Sequence, residues 1–191
     1  GGGAGRNWVF VKVETDAGIH GWGEGSLVNQ TPTIARAVEQ IGPQIIGLDA
    51  TAIERHWQAL FLHSRYRGGV IISSALSAID QALWDIAGKA WGVPVYRLLG
   101  GPTRDRIRLY PSATSTKIGP GGPRQFAATP EWVKGYVDHV KHFRKELGPN
   151  GAIMLDAHCA MPPAFLIQLA NALEPQDVLF IEEPAVPGNI E

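Results

Sequence analysis

The chain has 191 residues, 45% of them hydrophobic and 18% charged, enough to bury a core in one or two domains. Its net charge of -1 and pI near 6.7, with Lys and Arg scattered along the chain, offer no basic surface to nucleic acid or to an anionic membrane. A single cysteine, Cys159, cannot form an internal disulfide, and no apolar run approaches the roughly 20 residues that span a bilayer, so a cytoplasmic protein is expected.

After a flexible Gly-rich start, residues 7–13 (NWVFVKV) are rich in aromatic and β-branched side chains, as a strand requires. Asp16-Ala17-Gly18 is a turn, and residues 19–24 (IHGWGE) return as the partner strand, with Gly21 and Gly23 marking a bulge or a close backbone approach. Residues 31–46 carry Ile34, Ala37, Val38, Ile41 and Ile45 at helical spacing. A second helix, capped by Asp49, runs to about residue 63 with Trp57, Leu60 and Phe61 as its buried stripe. The longest helical pattern covers 73–91, placing Leu76, Ile79, Leu83, Ile86, Ala87 and Ala90 on one side, and ends at Gly92 and Pro94. Trp84 and Trp91 fall in the same stripes and are expected in the core. Residues 1–101 are therefore an α+β unit.

Beyond Gly100-Gly101-Pro102 the pattern changes to short apolar strands alternating with helices, which predicts βα units on a parallel sheet over 102–191. Strands are expected at 107–111, 115–118, 152–156 and 178–182, and helices at 130–147 and 162–173. The first two strands leave no room between them for a crossover helix, which takes a dozen or more residues.

Two strand ends carry chemistry. In Leu155-Asp156-Ala157-His158, alternation places Asp156 and His158 on one face; the alternative is a helix cap followed by a loop histidine. Phe180-Ile181-Glu182-Glu183-Pro184 closes a second apolar strand on two acids, costly at a buried end unless a cation neutralises them, or else a surface turn announced by Pro184. Carboxylate oxygens on neighbouring strands suit Mg²⁺, and strand C-termini form the active mouth of parallel α/β folds.

Together these signals resemble the enolase superfamily, within it the mandelate racemase branch and, most closely, its sugar-acid (galactonate-type) dehydratases. Gly21-Trp22-Gly23-Glu24, Tyr66-Arg67-Gly68-Gly69, the segment 78–86 (AIDQALWDI) and the segment 92–101 (GVPVYRLLGG) look like that branch's capping domain. The resemblance implies an α+β capping domain (1–101) followed by a (β/α) TIM-type barrel, of which 102–191 is only the first part. It maps Asp156 and Glu182 onto the first two Mg²⁺ ligands, and His158 onto the general acid that protonates a departing hydroxyl. Thr116-Lys117-Ile118-Gly119 is similar to the branch's Lys-x-Lys strand end, with Ser115 at the first lysine position; Lys117 is then a general base, a carboxylate anchor or a solvated lysine. Tyr66 and Arg67 belong to a loop expected to contact substrate.

The implied activity is dehydration of a small-molecule sugar acid by a homo-oligomer. A racemase, epimerase or cycloisomerase sharing the α-proton chemistry is the alternative, and a non-catalytic homologue or fragment is a third reading, because the family's third ligand and base dyad fall after Glu191.

Overall fold

The structure, a computed structural model, describes residues 7–63, 65–107, 109, 116–117, 129–157 and 161–185, with 116–117 described by their backbone alone. The alternating apolar residues near the start fold into β1 (Phe10–Glu14), which pairs antiparallel with β2 (His20–Glu24) in the register Val11↔Gly23 and Val13↔Gly21. The turn between them closes with the Gly18 N–H donating to Thr15 O at 3.1 Å, and Gly18 has φ +78, a backbone state that side chains resist.

One face of this hairpin lies on α3 (Val70–Trp91), the central helix, against which α1 (Thr31–Ile41) and α2 (Ile53–Leu62) also pack. The glycines of β2 mark a close approach: a Cβ built on Gly21 or Gly23 would overlap the carbonyl oxygen of Ala82 or Ala78, and one on Gly25 would sit 2.9 Å from Ser74 O. Residues two apart on the strand thus meet residues four apart on the helix. The outer edge of β2 is closed by side chains of α3. The Trp22 N–H donates to Asp85 Oδ2 at 2.9 Å, the Glu24 N–H donates to Gln81 Oε1, and Gln81 Nε2 donates back to Glu24 O, both at 3.1 Å. Ile34, Ile41, Ile53, Leu60, Leu76, Ile79, Leu83 and Ile86 form the core of this unit.

Several expectations need correction. Helix α1 stops at Ile41 and tightens into a 3₁₀ turn, Gly42–Ile45, because Pro43 has no N–H to continue the ladder. Asp49 does not cap α2, whose N-cap is Ala52; its carboxylate instead accepts from the Thr51 N–H and hydroxyl, forming a local turn. The buried His56 holds that turn through Nε2, 2.6 Å from Asp49 O. Trp57 is exposed and stacks on Phe61, while Trp91 is 56% exposed and Ala90 is also exposed; periodicity assigned them a side that nothing in this unit fully covers. Helix α3 is long and apolar enough to cross a membrane, contrary to expectation, but its buried residues are this unit's core. It ends at Gly92, which has φ +68, and a short α4 (Val95–Leu98) follows.

The chain divides into two compact units, Gly1–Arg106 and Ile107–Glu191. In the second, β3 (Thr116–Lys117), β4 (Ile153–Asp156) and β5 (Val178–Glu182) form a parallel sheet in the order β3-β4-β5. Helix α5 (Pro130–Leu147) precedes β4, and α6 (Pro163–Leu173), with a 3₁₀ turn at Glu174–Gln176, precedes β5. Thr129 caps α5 by accepting the Trp132 N–H. Val140 of α5 and Phe165, Leu169 and Leu173 of α6 pack with Ile153 and Leu155 of β4. The strand expected at 107–111 falls largely outside the described residues, and neither Ile107 nor Leu109 is in a strand.

Candidate metal and active site

The burial of β4 alternates: Ile153 and Leu155 face the helices, while Met154 and Asp156 lie on the opposite face. Strand β5 cannot alternate in the same simple way, because Val-Leu-Phe-Ile is apolar throughout. The ladder pairs Ile153 with Val178 but Met154 with Phe180, so Leu179 is an extra residue, a β-bulge. The bulge changes the phase of the strand. Val178 and Ile181 both pack on the helix side, and Glu182 comes into register with Asp156. Two carboxylates therefore stand side by side on one face at the C-terminal ends of adjacent parallel strands, whose backbones are about 4.8 Å apart.

Glu183 is not part of this pair. Its φ of +44 turns the chain out of the strand before Pro184, whereas the Glu182 carbonyl accepts the Ala157 N–H at 2.9 Å and extends the ladder. On the other side of β4, Lys117 is in register with Asp156 and Thr116 with Leu155. Lys117, Asp156 and Glu182 thus occupy one row across three strand ends.

Asp156 is half-buried and Glu182 exposed, and a small hard cation with oxygen ligands suits carboxylates on neighbouring strands. The donor chemistry fits Mg²⁺, which commonly takes one or two carboxylates and fills its remaining positions with water and substrate oxygens. Among the described residues no group of three or more His, Cys, Asp or Glu is assembled for a metal. His158 lies outside the described residues. Tyr66 and Arg67 are exposed in the loop before α3, in the first unit.

Sequence reasoning missed two features that build the site. One is the Leu179 bulge, which has no signal in a uniformly apolar run. The other is Arg144, whose guanidinium binds the turns that lead into both β4 and β5. The available signal for it was a basic residue in the last turn of a helix, where such side chains reach backbone carbonyls.

Residues 4–100 match the family model described as "Mandelate racemase / muconate lactonizing enzyme, N-terminal domain", and residues 107–191 match "Enolase C-terminal domain-like". The chain belongs to the enolase superfamily. It is 37% identical over 204 residues to a D-galactonate dehydratase of Variovorax paradoxus (strain S110), covering 96% of this chain and 53% of that protein. A D-galactonate dehydratase of Pectobacterium atrosepticum is 38% identical over the same length and shares. Among solved structures, an enolase from Pantoea ananatis with bound D-gluconate and Mg aligns with TM-score 0.80 and 30% identity, over 96% of this chain and 57% of that one. A member of the enolase superfamily from Salmonella Typhimurium aligns with TM-score 0.87 and 26% identity, over 95% and 58%. The chain spans about half the length of the curated relatives it matches. The fold is that of the superfamily: an α+β capping domain followed by part of a TIM-type barrel.

Proposed function

We propose that the protein carries out Mg²⁺-dependent dehydration of a sugar acid. The observation that carries this reading is the in-register pair Asp156 and Glu182 at adjacent strand ends, and the dehydratases among its relatives support it. Asp156 and Glu182 would hold the cation. Bound there, it supplies positive charge beside the substrate carboxylate and lowers the pKa of the α-proton.

Lys117, in register with Asp156, adds a positive charge that anchors the carboxylate. His158, two residues after Asp156, donates a ring N–H proton to the β-hydroxyl. The β C–O bond breaks, water leaves, and the enol tautomerises to a 2-keto acid. The α-proton goes to a base outside this row. Tyr66 and Arg67 bind the substrate, and the enzyme works in the cytoplasm as a homo-oligomer. The register of Lys117 also favours a second reading, in which this lysine exchanges the α-proton in a racemase, epimerase or cycloisomerase. Ser115, where that branch carries the paired lysine, counts against it.

The test incubates the complete gene product with Mg²⁺ and a panel of sugar acids in deuterated water, following α-deuterium by NMR and 2-keto product by a carbonyl assay. Asp156→Asn is expected to lose both signals. His158→Asn is expected to slow dehydration by about 10²–10⁴-fold while α-exchange persists. Deuterium incorporation with inversion and no keto product would select the second reading, and joint loss of both signals in His158→Asn would remove its role as the acid.

A further inference from the structure

The register of β5 needs a cause. Because Val178-Leu179-Phe180-Ile181 presents apolar side chains in every phase, binary patterning does not choose between the bulged register and one slipped by a residue. The difference is large at the site, since a one-residue slip turns every side chain to the other face. In the slipped ladder Leu179 would pair with Met154, and Glu182 would leave the face of Asp156.

Arg144, in the last turn of α5, bonds to the turns leading into both strands. Its Nη1 donates to Gly148 O at 3.0 Å and to Gly151 O, both just before β4. Its Nε and Nη2 donate to Gln176 O at 3.0 and 2.9 Å, and Nη2 donates to Asp177 O at 2.9 Å, immediately before β5. Asp177 has φ +49, in the left-handed region that Asp enters more readily than most non-glycine residues. One planar group thus fixes four carbonyls, and with them the offset between the starting points of β4 and β5. The bulge lies two residues beyond the last of these carbonyls.

We propose that Arg144 is a positioning residue for the site: by tying the two turns together it selects the bulged register that sets Glu182 beside Asp156. The inference rests on the reading of these carboxylates as cation ligands, and the two are separable by experiment. Mn²⁺ alone is titrated into the complete gene product and the free-ion EPR signal followed, for the unaltered protein, Arg144→Ala, Arg144→Lys and Asp156→Asn. Arg144→Ala is expected to weaken Mn²⁺ about 10–100-fold, as loss of a supporting contact does. Millimolar methylguanidinium should restore part of that loss. Arg144→Lys should stay weakened, because an ammonium on a flexible stem cannot span the four carbonyls.

Register is read without metal in a Cys159→Ser background, by disulfide formation between Met154→Cys and Phe180→Cys, which are ladder partners. Adding Arg144→Ala should slow this cross-link and favour the pair Met154→Cys and Leu179→Cys. Unchanged Mn²⁺ affinity and an unchanged cross-link in both Arg144 variants would overturn the proposal. So would losses that methylguanidinium does not restore, since these mark Arg144 as a general stabiliser. If the unaltered protein binds Mn²⁺ no better than Asp156→Asn, the cation reading fails by itself, and the cross-link still decides for or against Arg144.

Discussion

Gly23 has no space for even a methyl group, since the obstructing atom is a backbone carbonyl of α3 that cannot rotate away. Gly23→Ala is therefore expected to destabilise the protein by about 3 kcal/mol, the upper range for overpacking, seen as a lower urea midpoint with an unchanged slope. Gly18→Ala provides the contrast. Nothing lies within 4 Å of a Cβ there, so its cost is only that of placing alanine at φ +78, about 1 kcal/mol. Equal effects at the two positions would mean that the strand and helix separate easily. The sequence already marked Gly21 and Gly23 as a bulge or a close approach. It could not say which, because the partner atoms lie more than fifty residues away along the chain.

Helix α3 carries two carboxylates with opposite relations to pH. Burial works against the charge on Asp85, but the bonds from Lys89 and the Trp22 N–H outweigh it and hold its carboxyl below the usual range. Its contribution is present above the ordinary carboxyl value near 4 and is lost as pH falls through its lower folded value. Asp80 is raised, first by burial and then by the nearby charge of Glu54. Its ionised form weakens the fold above its raised value, and protonation relieves that as pH falls toward about 4. At pH 7, Asp85→Asn should cost less than about 1 kcal/mol, the Lys89 pair being partly exposed. Asp80→Asn should stabilise. Both differences should shrink in acid, checked by thermal melts from pH 7 to pH 3, and a pH-independent gain for Asp80→Asn would exclude its charge as the cause.

The periodic helices α5 and α6 and the short apolar run of β5 fall where the pattern places them. What failed were details set by partners. Trp57 and Trp91 lie on apolar stripes, yet a stripe does not reveal whether anything covers its whole width. The ends of β4 and β5 were readable because an apolar strand must finish at a mouth, whereas the bulge that aligns their acids is silent in four consecutive apolar residues.

At the scale of the molecule, the two units differ in how their central elements are covered. The first surrounds α3 with a hairpin and two helices. The second covers one face of a parallel sheet, leaving Leu179 61% and Phe180 39% exposed, although such sheets ordinarily need cover on both faces. Residues 7–106 produced alone should melt cooperatively by circular dichroism. Residues 107–191 alone should bind ANS and associate. Cooperative, ANS-free melting of residues 107–191 would contradict this account.

The closed edge of β2 has a further consequence. Gln81 and Asp85 already occupy backbone groups to which another strand would attach, so this sheet can be lengthened only from the side of β1. In the language of polymer chemistry the hairpin is a monofunctional monomer. Two copies joined through it would terminate each other as a pair, and fibre growth by that sheet stops at the first addition.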